Sequence, residues 1–143
     1  MQKADIPILY EIALCAFQPD AKKYGAYPPL LKTKQKTFLP PVTFGKVFLV
    51  DDIIIGGAFV FGLKEKGEIG AIFLDPKQQN KGFGKQMMLI IEEHYPKVKR
   101  WRLETPEGSN NLHRFYESLG YVKAGIRADK KSGINAIIYE KTK

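Results

Sequence analysis

The sequence predicts a domain of the α/β or α+β class, because segments with strand-like apolar patterning alternate with segments of helical period along its 143 residues. Two observations support this reading. Runs such as Lys46–Val50 and Glu68–Leu74 are apolar, β-prone and bounded by turn residues. Stripes such as Leu112, Phe115, Tyr116 and Leu119 recur at helical spacing and stop at a glycine, Gly120. The length suits one domain over residues 1–143, and no shift in composition marks a second.

Taken in order, Ile8, Leu9, Ile12, Ala13, Ala16 and Phe17 give the apolar face of a first helix, which Pro19 is expected to stop. Cys15 lies within it and reads as a packed thiol. As the only cysteine it excludes an internal disulfide and a multi-cysteine zinc site. Residues 20–41 carry Gly25, Pro28-Pro29 and Pro40-Pro41 and read as irregular, with a short helix over 30–37. Lys46–Val50 and Ile53–Phe61 read as strands joined by Asp51-Asp52. Gly56-Gly57 inside the second suggests a bulge or a close backbone approach. With Glu68–Leu74 they form an antiparallel meander. A glycine-bearing turn follows, then a helix from Gln86 marked by Met87, Met88, Ile91 and Tyr95. Trp101–Thr105 alternates like a half-buried strand, and Ser109 or Asn110 can cap the next helix. Tyr121–Ala128 and Ile134–Glu140 close the chain as a hairpin around Lys131-Ser132-Gly133.

Apolar residues make up 44% of the chain, and no run approaches the ~18 residues of a membrane helix. The opening residues 1–5 show no signal-peptide pattern, so the expected location is cytoplasmic, with no membrane partner. Net charge is +8, which suits a solvated basic surface or the steering of a polyanionic ligand. The basic residues are dispersed and no nucleic-acid-binding signature accompanies them, which disfavours a nucleic-acid partner. His94 falls near a helix end, and His113 is placed on the outer face of its helix. Neither has a partner at metal-ligand spacing, so no metal site is expected.

The chemistry concentrates in Gln79-Asn80-Lys81-Gly82-Phe83-Gly84-Lys85, between a strand ending in Leu74-Asp75-Pro76 and a helix. Backbone N–H groups in a first helical turn have no intrahelical acceptor, and the dipole adds partial positive charge. Gly82 and Gly84 let a ligand approach the backbone, while Lys81 and Lys85 add full charges. A phosphate-bearing ligand is therefore expected. A P-loop would need a hydroxyl after Gly84-Lys85, where Gln86 stands, and a dinucleotide fingerprint would need a third glycine.

The segment resembles the acetyl-coenzyme A signature of the GNAT superfamily of N-acetyltransferases, Gln/Arg-x-x-Gly-x-Gly/Ala after a strand ending in apolar-x-Pro. A second stretch, Asn111-Leu112-His113-Arg114-Phe115-Tyr116 followed by Leu119-Gly120-Tyr121, resembles the family's later asparagine, its Phe-Tyr helix and its Leu-Gly-Tyr ending. The resemblance covers nearly the whole chain. It implies the GNAT fold, a mixed and mostly antiparallel central sheet with flanking helices. The family's usual first strand would have only residues 1–4 here, and is expected to be very short or absent.

The resemblance also implies an acetyl-CoA-dependent acyltransferase whose acceptor amine attacks the thioester directly. A small primary amine is the leading acceptor, and a homodimer is compatible with the sequence. Acetylation of a protein N-terminus or lysine, and a non-catalytic acyl-CoA-binding module, stay open. By resemblance the backbone of Ile72, Phe73 and Leu74 would pair with the pantetheine arm. Gln79, Asn80, Lys81, Gly82, Phe83, Gly84 and Lys85 would hold the pyrophosphate, and Asn111 would contact the cofactor or else cap its helix. An alkyl amine must lose a proton at a cost of about 4–5 kcal/mol at pH 7, so a base is useful. The departing thiolate needs a smaller push from an acid. Tyr116 is the implied acid and Glu68 the implied base, with Glu104 in reserve. The acceptor would meet Phe17, Tyr24, Tyr27, Pro28 and Pro29, with the hairpin near Arg127 and Lys130. The many lysines from Lys22 to Lys36 disfavour a polycationic acceptor and suit an amine that also bears a carboxylate.

Overall fold

Asp51 and Asp52 both take left-handed φ, 50° and 64°, in a computed structural model that describes residues 3–24, 45–61, 64–128 and 133–143. Two successive left-handed residues make the turn whose twist matches a tight hairpin. It joins β1 (Gly45–Val50) to β2 (Ile53–Phe61), antiparallel. β3 (Lys66–Leu74), α2 (Phe83–His94), β4 (Arg100–Pro106), α3 (Asn110–Ser118), β5 (Val122–Arg127) and β6 (Ala136–Thr142) follow, with α1 (Ile6–Tyr24) before them all. The six strands lie in the order β1-β2-β3-β4-β6-β5 in a mixed sheet. Among the described residues no strand precedes α1; a 3-10 turn at Lys3–Asp5 leads into it.

Two units group the contacts, one holding the described residues up to Val60 together with Ala71–Ile91, the other Phe61–Gly70 and Glu92–Lys143. In the first, α1 buries Ile6, Leu9, Ile12 and Ala13, while Ile8 is half exposed. Cys15 lies off that stripe and is exposed, which corrects the packed-thiol expectation. Pro19 does not stop α1, which runs on to Tyr24. Proline removes one backbone donor from a helix interior, a cost and not a prohibition. Phe73 centres this unit's core, its ring 6.4 Å from both Phe17 and Phe59. Met87, Met88 and Ile91 bury one face of α2. Gly57 admits the close packing, since a Cβ there would lie 2.9 Å from the Phe73 ring and 3.0 Å from Leu9.

In the second unit β3 and β4 pair in parallel from Lys66↔Arg100 to Ile69↔Leu103. β4 pairs β6 antiparallel over its whole length. The alternation of Trp101–Thr105 is realised: Trp101, Leu103 and Thr105 are buried, with Arg102 and Glu104 on the other face. Trp101 is fully buried against Gly67, where a Cβ would stand 2.6 Å from its ring. α3 ends as its glycine foretold. Gly120 has φ 94°, its N–H donates to the Glu117 carbonyl at 3.1 Å, and the Tyr121 N–H donates to the Tyr116 carbonyl at 3.1 Å. These are the two bonds of a Schellman ending. The buried Glu92 is held by the last strand, with Lys141 Nζ 3.0 Å from Oε1 and 3.2 Å from Oε2. No described helix is long and apolar enough to cross a membrane.

Candidate active site

The turn after β3 is built by a bulge in β2. Register passes from Phe48↔Gly56 to Leu49↔Ile54, so Ile55 has no partner on β1. Its carbonyl accepts the Asp75 N–H at 2.7 Å, fixing the point where β3 ends. Gly56 is needed beside it, because a Cβ there would lie 2.4 Å from the Phe73 carbonyl oxygen. The close approach is thus present at Gly56-Gly57, while the bulge falls one residue earlier, at Ile55. The Asp75 carboxylate accepts the Lys77 N–H at 3.0 Å, and a 3-10 turn covers Pro76–Gln78. The Gln79 side chain donates to the Leu74 carbonyl at 3.2 Å, and Lys81 Nζ to Gln78 Oε1 at 3.3 Å. Asn80 and Gly82 then reverse the chain with φ 63° and 83°.

α2 begins at Phe83, three residues before the expected Gln86, because the Gln86 N–H already bonds the Gly82 carbonyl at 3.2 Å. The N–H groups of Gly82, Phe83, Gly84 and Lys85 therefore precede the first intrahelical donor, the Gln86 N–H. Lys81 and Lys85 are exposed beside them. A Cβ on Gly82 would meet nothing within 4 Å, so glycine is required there for its backbone conformation. Such a turn can accept a phosphate on backbone donors and the helix dipole. Ile72, Phe73 and Leu74 continue β3 beyond its last register position with β4, Ile69↔Leu103.

In the second unit Tyr116 lies on the buried face of α3, its ring 6.1 Å from Tyr121 and 6.3 Å from Tyr139. Burial pushes its hydroxyl up to about 12, so the proton stays on across the physiological range. Tyr121 is raised further, first by burial and then by the charges of Glu92 and Tyr116. Its hydroxyl has no hydrogen-bond partner among the described residues. Asn111 does not cap α3. Ser109 stands at the N-cap, and Asn111 Oδ1 accepts from Arg114 Nη2 at 2.6 Å. His113 is not on the outer face; it is half-buried, with Nε2 2.8 Å from the Pro106 carbonyl and its ring 5.9 Å from Tyr139.

Glu68 and Glu104 come together through a residue the sequence reading did not single out. Arg102 donates to Glu68 Oε1 at 3.0 Å and to Glu104 Oε1 at 2.7 Å, and Arg127 Nε donates to both oxygens of Glu104 at 3.0 and 3.1 Å. The signal was the alternation of Arg102 and Glu104 on the unburied face of a strand. Glu104 is tied on both sides, whereas Glu68 keeps Oε2 outside the ladder. The side chain of Tyr24, all of Tyr27, Pro28 and Pro29, the helix expected over 30–37, and Lys130 lie outside the described residues. No metal-holding cluster occurs among those described.

Residues 44–123 match the family of the acetyltransferase (GNAT) domain, which is more than half of the sequence. The chain therefore belongs to the GNAT acetyltransferases and is an acyltransferase that uses acetyl-CoA as cosubstrate. No curated protein matches it. Its fold is similar to that of the ribosomal-protein-S18-alanine N-acetyltransferase from Escherichia coli, at TM-score 0.78 and 21% identity over 99% of this chain and 90% of that one. It is also similar to the PaiA N-acetyltransferase from Thermoplasma acidophilum in complex with coenzyme A, at TM-score 0.79 and 19% identity over 100% and 96%. A GNAT family acetyltransferase from Elizabethkingia anophelis with acetyl-CoA bound gives TM-score 0.72 and 19% identity over 99% and 95%.

Proposed function

We propose that the chain transfers the acetyl group of acetyl-CoA to the primary amine of a small molecule, by direct attack in a ternary complex. The amine nitrogen bonds to the thioester carbonyl carbon and loses its proton to Glu68. The C–S bond breaks, and the thiolate takes a proton from the Tyr116 hydroxyl. Release of the Glu68 proton to solvent balances the proton that solvent returns to Tyr116. The turn Gln79–Lys85 carries the pyrophosphate, Ile72–Leu74 the pantetheine arm, and Asn111 a further contact to the cofactor. The observation that carries this reading is the position of Tyr116 on the buried face of α3, inside the Asn…Phe-Tyr…Leu-Gly-Tyr motif. Glu68 supports it as the carboxylate of the ladder with an oxygen to spare.

A second reading, acetylation of a protein N-terminus, is favoured by the structural likeness to the S18-alanine enzyme. Incubating the protein with acetyl-CoA and a panel of small amines and N-terminal peptides, with thiol release as the readout, separates the two. Turnover of small amines that Tyr116→Phe lowers about 100-fold is the expected result. Turnover of peptides alone transfers the assignment to the second reading, and full activity in Tyr116→Phe removes the tyrosine from the mechanism.

A further inference from the structure

The second unit contains a cleft of about 380 Å³ at the N-terminal ends of β3 and β4, lined by Phe61, Lys66, Glu68, Arg100, Arg102 and Glu140. Its charges are set by strand register. In the parallel pair Lys66 is the Cα partner of Arg100, and Glu68 of Arg102; in the antiparallel pair Arg102 is the partner of Glu140. Side chains of partnered residues project to one face and meet there. Glu68 and Arg102 neutralise one another at 3.0 Å. Lys66 and Arg100 face each other as like charges, and among the described residues neither has an ion-pair partner.

Like charges directly opposite on adjacent strands destabilise a sheet. An oxyanion placed between them converts that repulsion into two charge-assisted contacts, with a planar fork from Arg100 and a point charge from Lys66. Phe61 supplies an apolar wall. Its ring lies over Gly70, where a Cβ would stand 2.4 Å away. The volume is at the small end of ligand sites.

We propose, resting on the assignment of Glu68 as the base, that this cleft takes the anionic group of the acceptor, a carboxylate or phosphate on an apolar body, between Lys66 and Arg100. The test is a calorimetric titration of benzoate and of phenyl phosphate into protein already saturated with acetyl-CoA, so that the glycine turn is filled. Saturable binding of at least one probe is expected. It should weaken at least tenfold in Lys66→Gln/Arg100→Gln and measurably in Lys66→Gln alone, with acetyl-CoA affinity altered less than twofold. Neither variant should melt lower than the parent, because each relieves the repulsion. Tighter benzoate identifies a carboxylate ligand, and tighter phenyl phosphate a phosphate. No saturable binding of either probe, or binding that survives both variants, overturns the proposal. A failure of acetyl-CoA to bind counts against the cofactor turn instead, and the probes are then read on the protein alone.

Discussion

Tyr116 illustrates how one side chain couples stability to chemistry. Its hydroxyl belongs to the buried face of α3, and removal from water raises its value from 10.0 to about 12. The neutral form is the one a proton donor needs, and the same burial has a consequence for pH. The folded state holds this proton more tightly than the unfolded chain. The stability it contributes is intact below pH 10 and is lost as pH rises through about 12. At pH 11 the loss is about 1 kcal/mol, at roughly 1.4 kcal/mol per unit. Urea unfolding at pH 8 and pH 11 should therefore show a smaller drop for Tyr116→Phe than for the parent. Equal drops would mean that the hydroxyl is hydrated. The motif in the sequence singled out Tyr116, whereas the linkage of Glu68, Arg102, Glu104 and Arg127 was not legible there. Those four belong to β3, β4 and β5, and only strand register brings them together. The same limit applied to His113, whose carbonyl partner is seven residues away on the preceding strand.

At the scale of elements, the strand–turn–helix unit from β3 to α2 depends on a residue outside it. The bulge at Ile55 in β2 turns a carbonyl towards Asp75, and Gly56 lets Phe73 approach. The doublet Gly56-Gly57 announced such a feature because glycine inside a strand weakens it without a packing reason. Which carbonyl it would free could not be read from one strand. Gly56→Ala places a Cβ against a backbone oxygen that cannot rotate away, so the strands must shift. A loss of about 1–3 kcal/mol in urea unfolding is expected, with weaker acetyl-CoA binding. Unchanged stability would show that the bulge is not needed to hold β3. Periodicity located α2, β4 and α3, because their apolar residues recur at the period of the element, although α2 starts three residues earlier than expected. It misjudged α1, where Ile8 and Cys15 lie off the stripe of Ile6, Leu9, Ile12 and Ala13 and Pro19 sits within the helix.

For the whole molecule, the net charge of +8 suits a polyanionic cosubstrate, and coenzyme A is a polyanion. The family and the cosubstrate were legible in the sequence because the two motifs consist of local backbone requirements: glycines at a turn, and a glycine ending a helix. The acceptor was not, because its specificity is a matter of side chains assembled from distant segments. Calorimetric titration of the purified protein with acetyl-CoA tests whether the turn Gln79–Lys85 binds it, without knowledge of the acceptor. Saturable one-to-one binding in the micromolar range, weakened at least tenfold in Gly84→Val while the fold persists, is the predicted result. Absence of binding, or equal affinity in the variant, would contradict it.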